Sequence, residues 1–314
     1  MSAACGRTPA IRPKAIRPAV PAMAALLVAA ALLLSSCATV PARSPAQWMG
    51  VLPGDATMYV SLSVPPSAAL LKKMLKDSGP DTTEVGQLVD MTRRVVLAVR
   101  LVPTQKPAFA AVAIGSYPSG IMGCRLSGNR YWKRTRSPAG GNWQSSRTGV
   151  QIAIPNRSTL LAANGGIETL LARHGSPVGL RLPAEVSLDM ERTDLVLYLP
   201  ELPGGIAPSG TARVPIQEVW LDAAKGDGTY AITGTANTGS EREAKLVTLV
   251  LKLGLVAWMR AEKLPNAADR LRPVTIEADG TQVKLSGLSF SEQEIGPLVL
   301  SLFAPTAPAG DPAP

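Results

Sequence analysis

A single histidine, His174, stands in a chain of 314 residues. That scarcity rules out histidine-based zinc cages and the HExxH box, and it leaves one residue to serve any hydrolase dyad or triad. The setting of that residue, Leu170-Leu171-Ala172-Arg173-His174-Gly175, reads as a helix C-terminus. There a histidine caps the last carbonyls and meets the helix dipole favourably. Cysteine is nearly as rare, with only Cys5, Cys37 and Cys124. Once the leader and Cys37 are accounted for below, Cys124 has no intramolecular mate, so no disulfide framework is expected and Cys124 reads as a small buried hydrophobe. The phosphate-loop signature is also missing. Gly115-Ser116-Tyr117-Pro118-Ser119-Gly120 has the glycine spacing, but Ile121-Met122 occupy the places of the lysine and the hydroxyl residue. Gly226-Asp227-Gly228 precedes a strand pattern instead of opening a helix, which leaves a dinucleotide site unsupported. Asp189, Glu191 and Asp194 read as solvated loop charges. The expectation is a protein that is not an enzyme and takes no cofactor or metal.

What is present begins at the N-terminus. Arg7, Arg12, Lys14 and Arg17 come without an acid, then an apolar core runs from Ala24 to Leu34 and closes on Leu34-Ser35-Ser36-Cys37. This is the order of a signal peptide, and its last four residues have the form of a bacterial lipoprotein processing box. A thiolate is the one good soft nucleophile available to take a diacylglycerol group, and cleavage before Cys37 frees an amine for a further acyl chain of the palmitate type. Stable attachment needs more than one chain, so a multiply acylated Cys37 anchors the protein without a spanning helix. The apolar core is itself too short to span comfortably. Ala38, in the position where an aspartate directs inner-membrane retention in many Gram-negative bacteria, favours the outer membrane. Removing residues 1–36 takes away four cations and no acid, so the net charge falls from +9 to +5.

Four parts follow: a signal peptide at 1–36, a lipidated tether at 37–51, one α+β domain at 52–303, and a disordered proline-rich tail at 304–314. Within the domain, short β-branched and apolar runs bounded by Gly, Pro, Asn or Asp read as strands. They lie at 58–64, 94–102, 108–116, 150–154, 158–163, 194–199, 218–223, 230–236, 274–278 and 282–288. Helical periodicity marks 67–76, 83–92, 167–174, 241–263 and 291–303. Asp227-Gly228 and Asp279-Gly280 predict tight hairpin turns. The order of elements in 52–176 returns in 190–303, although residue identity does not, which raises an internal duplication. The fold expected is an extended mixed or antiparallel sheet with amphipathic helices packed over it.

Two segments stand out chemically. From Arg125 to Arg147 the chain holds Arg125, Arg130, Lys133, Arg134, Arg136 and Arg147 without an acid, interleaved with Tyr131, Trp132 and Trp143. Nucleic acid is not the partner expected at a membrane address. Cations beside amphipathic aromatics suit a lipid interface; the other reading, a solvated basic loop whose tryptophans plug the domain edge, fits the composition at least as well. The second segment, 241–263, has a narrow polar stripe of Glu241, Lys245, Thr248 and Lys252. Leu246, Leu249, Val250, Leu253, Val256 and Trp258, with their apolar neighbours, cover the rest, more than a core-facing stripe requires. Such a helix is enclosed by the fold, lines a hydrophobic cavity or lies in a bilayer interface, and Lys252 in its middle argues against spanning.

The lipobox at 34–37, the mixed strand and helix plan and the several amphipathic helices together resemble the treponemal outer-membrane-associated amphiphilic lipoproteins. The resemblance implies an α/β fold enclosing a hydrophobic cavity, attachment to the periplasmic leaflet of the outer membrane, and amphipathic helices that insert into or perturb lipid. Membrane lipid is then the expected partner, as anchor and as ligand. The alternative is an envelope assembly lipoprotein that holds another envelope protein.

Overall fold

The computed structural model describes residues 43–77, 82–102, 106–137, 140–178, 180, 182–201, 215–261 and 267–295. The anchor Cys37, the signal peptide, most of the tether, the end of the C-terminal helical pattern and the tail therefore lie outside the described residues. The chain opens on a short helix, α1 (Pro45–Met49), which begins where it does because Ser44 and Gln47 form a reciprocal capping box and Pro45 fills the first helical position. Strand β1 (Met58–Ser63) leads into helices α2 (Val64–Asp77) and α3 (Thr82–Met91), then β2 (Thr92–Arg100) and β3 (Ala108–Gly115). Helix α4 (Ser119–Gly128) precedes two hairpins, β4 (Trp132–Ser137) with β5 (Gly140–Ser145) and β6 (Gln151–Asn156) with β7 (Thr159–Ala163). Helices α5 (Ile167–Gly175) and α6 (Ala184–Arg192) lead to β8 (Leu195–Leu199), β9 (Ile216–Lys225) and β10 (Thr229–Thr238). The long helix α7 (Glu241–Ala261), the short α8 (Ala267–Leu271), β11 (Thr275–Asp279) and β12 (Gln282–Ser291) complete the described elements.

All twelve strands join one antiparallel sheet in the order β11-β12-β10-β9-β8-β1-β2-β3-β7-β6-β5-β4. The expected α+β class is what the chain adopts, with the sheet purely antiparallel. Its seam is the β1/β8 pair, where Tyr59 lies opposite Tyr198. Outward from that seam one wing runs β1-β2-β3-β7-β6 and the other β8-β9-β10-β12-β11. The first wing then adds the β5/β4 hairpin. Both predicted DG turns are there, with Gly228 at φ 79° and Gly280 at φ 59°, backbone that glycine adopts without steric cost.

One face of the sheet, carrying Tyr59, Val96, Val112, Leu161, Val196, Tyr198 and Trp220, is covered by Trp48 and Met49 of α1, Ile167 and Leu170 of α5, and Val186 and Met190 of α6. The Tyr59 hydroxyl donates to the Pro53 carbonyl at 2.7 Å, and burial raises its pKa. On the opposite face Leu88 and Met91 of α3 pack with Leu160, and α7 packs over β10, β11 and β12 through Ala244, Val247 and Met259.

Six described elements depart from the sequence expectation, among them α8 and also α1, which forms inside the stretch read as tether and buries Trp48 and Met49. Helix α4 contains three glycines and has little propensity of its own, so its helicity rests on packing against β4 and Trp143. Helix α6 places Asp189 and Glu191 on a helix, not in a loop, and Asp194 follows it to accept from the Lys225 amide at 2.8 Å. Strands β4 and β5, WKRTRS and GGNWQS, are poor β-formers by composition. The basic segment, for which a solvated loop was one of the two readings, thus begins in α4 and continues as an edge hairpin.

Candidate membrane-contact surface

Helix α7 has two apolar faces. Inward, Ala244, Val247 and Met259 are fully buried, and Trp258 meets Phe290 edge-on at 5.9 Å with rings at 79°. Outward, Leu246, Leu249, Val250, Leu251 and Leu253 are 54%, 56%, 39%, 37% and 64% exposed. The enclosed core helix that the sequence allowed is therefore not what forms, because the sheet takes only one side of a helix that is greasy on both. Val256 and Trp258 are half-buried and belong to the packing side and its margin. At 3.6 residues per turn Leu246, Leu249, Val250 and Leu253 fall on one stripe. Exposed Arg242, Lys245, Lys252 and Arg260 accompany it. Glu241 pairs with Lys245 at 2.7 Å, which lowers the carboxyl pKa. No helix among the described residues is long and apolar enough to cross a membrane.

The basic segment divides by side chain. Arg130, Lys133 and Arg134 are exposed. Trp132 is half-buried against the cluster of Tyr117, Ile152 and Leu160. Trp143 is buried, its indole N–H donating to Ser127 Oγ at 3.2 Å beside Gly123 of α4. Of the residues anticipated at a lipid interface, Trp143 therefore stitches α4 to the sheet and Trp132 packs into the cluster around Tyr117, while the cations face solvent. Tyr131, the third aromatic of the segment, lies beneath two guanidinium groups, Arg130 at 4.7 Å and Arg147 at 3.6 Å from its ring centre. Cys124 is exposed on α4 and not buried as expected, because the glycine-rich helix packs by its other side.

His174 sits at the end of α5, as its setting indicated. Its ring stacks on Trp48 at 5.8 Å, its carbonyl accepts from Arg43 at 3.1 Å, and the Arg43 guanidinium lies 5.0 Å from the Trp48 ring centre. Burial, then the Arg43 charge, lower its pKa. It fastens the first described residues to the body. On the face away from α7, Glu218 accepts from the Tyr198 hydroxyl at 2.9 Å and from the Asn237 amide at 2.6 Å, and burial with Glu218 drives the Tyr198 pKa up. Burial and repulsion from Asp222 raise the Asp189 carboxyl. Among the described residues no group of three or more His, Cys, Asp or Glu could hold a metal ion.

Three crystal structures of TP0453, a treponemal protein, are similar to this chain. Crystal form I superposes with a TM-score of 0.61 at 16% identity, covering 82% of this chain and 97% of that one. Form III gives 0.61 at 17% identity over 81% and 97%, and form IV gives 0.60 at 16% over 80% and 95%. The likeness is one of fold across nearly the whole of TP0453. No family model and no curated protein matches the chain.

Proposed function

We propose that this chain is a non-enzymatic bacterial lipoprotein, anchored through acylated Cys37 to the periplasmic leaflet of the outer membrane. In this reading the outward face of α7 contacts the bilayer and binds lipid or another hydrophobic ligand. The observation that carries it is the row Leu246, Leu249, Val250 and Leu253, large apolar side chains left in solvent on a helix whose other face is already satisfied by the sheet. Side chains about half exposed gain on the order of 1 kcal/mol each on leaving water. Several of them, with Arg242, Lys245, Lys252 and Arg260 beside them, make an interfacial helix that lies on lipid without crossing it. The shared fold with a treponemal protein fits the same address, and the lipobox supplies the anchor.

The test separates anchor from surface. The unacylated chain, carrying Cys37→Ser, should float with vesicles containing anionic phospholipid, and Leu249→Glu with Leu253→Glu should remove it from the floated fraction. Flotation unchanged by both substitutions would take α7 out of the account. Recovery of the intact mature chain from its envelope without acyl groups would take out the anchor.

A further inference from the structure

A sheet that does not close has two edges, and here they are β4 and β11, each hydrogen-bonded on one side only among the described strands. Proteins usually blunt such edges with proline, a bulge or charge. Neither strand contains proline, and both pair with their inner neighbours in unbroken register. The register irregularities lie in interior pairs instead, β2/β3, β6/β7, β9/β10 and β10/β12. What the edges do carry is charge of opposite sign. β4 has Lys133 and Arg134 exposed, with Arg130 and Arg147 over Tyr131 just before and beside it. β11 has Glu277 and Asp279 exposed, Asp279 paired with Lys284 of β12 at 2.6 Å.

The two edges are also in step. One unbroken row of directly opposed residues crosses the sheet: Lys133, Gln144, Gln151, Ala163, Ala110, Ala98, Tyr59, Tyr198, Trp220, Thr235, Lys284 and Glu277. Lys133 and Glu277 are its two ends and lie on the same face. With twelve strands alternating in direction, β4 and β11 also run opposite ways. A second copy displaced along this row therefore brings its β11 beside β4 as an antiparallel neighbour, with like faces continuous. Lys133 then meets Glu277, Thr135 meets Thr275, and Asp279 meets Tyr131 under its two arginines. Joining like edges would instead set Lys133 and Arg134 against themselves, or Glu277 and Asp279 against themselves, which opposed like charges disfavour.

We propose that a second copy of this chain adds head-to-tail through β4 and β11, extending the sheet from one molecule to the next. The joint is heterologous, so it propagates unless the geometry closes a ring. Because it depends on exposed charge pairs, it weakens with salt.

Sedimentation velocity of the full chain in mild detergent tests this. The expected result is at least a doubling of sedimenting mass at low salt, falling to the monomer at high salt. Lys133→Glu with Arg134→Glu sets glutamates against Glu277, and Thr275→Lys with Glu277→Lys sets lysines against Lys133. Each variant alone should be monomeric at low salt, and an equimolar mixture should recover the larger mass, which also shows that both variants are folded. A monomeric wild-type chain at low salt overturns the proposal. So does a mixture that stays monomeric while each variant keeps its native circular dichroism, or an association indifferent to salt and abolished by Leu249→Glu, which would belong to α7.

Discussion

Glu294 shows how much one side chain can hold. Its carboxylate accepts from Arg270 at 2.7 Å and from the amide and hydroxyl of Ser291 at 2.9 and 2.8 Å, and these bonds, Arg270 first, bring its pKa to about 2. A depressed carboxylate contributes stability that is complete above its unfolded value near 4.5 and lost as pH falls through about 2. Glu294→Gln should cost on the order of 1–2 kcal/mol at neutral pH, after screening where the pair meets solvent, and should flatten the acid limb of stability between those values. Urea titrations at stepped pH read this directly. His174 has the opposite chemistry. A base whose folded pKa lies below its unfolded value favours the unfolded chain when protonated, so its cost is absent at neutral pH and grows as pH falls through the usual histidine range. His174→Gln should show less loss of stability between neutral and mildly acidic solution than the parent in the same titration. The position of His174 was legible in the sequence because helix ends have a local signature. Its partner Arg43 was not, since the two are far apart along the chain.

At the scale of elements, α7 poses a clean comparison. Val247→Ala removes a fully buried side chain from the sheet-facing side and should cost about 1–3 kcal/mol. Leu253→Ala removes one that is 64% exposed and should fall within about 0.5 kcal/mol. Thermal unfolding of the two variants checks which side is which. Periodicity revealed the helix itself, but an all-round apolar pattern cannot say which half the sheet will take. Gly287 offers a second test. It sits at φ 78°, and a Cβ there would lie 2.0 Å from the Pro273 carbonyl oxygen. Gly287→Ala should be destabilising by about 3 kcal/mol or more, since the strained backbone and the collision with main chain add together. Two of the elements missed in the sequence share a cause. α4 is rich in glycine and β4 in arginine and lysine, so each forms because of what it packs or pairs with and not because of its own preference.

For the molecule as a whole, ten of the twelve described strands and the two DG hairpins were readable, because alternation and turn chemistry are local. The seam was not. Nothing in residues 58–63 or 195–199 marks them as partners, yet that pairing makes one sheet of two wings. Hydrogen exchange read by mass spectrometry should show slowest exchange in β1, β2 and β8 and progressively faster exchange toward β4 and β11, since opening at an edge strand breaks a single ladder. Uniform protection across all strands would contradict this picture.

The seam also sets a timetable. A chain emerging from the ribosome or a translocation pore can lay β2 against β1 early, but the other flank of β1 stays bare until residues 195–199 arrive. Through that interval the nascent protein carries a sticky, half-finished ribbon at the very place where its centre will be. Holdases that shield extended apolar segments should matter most in that window, and a pause introduced in translation there should raise aggregation more than the same pause placed after β8.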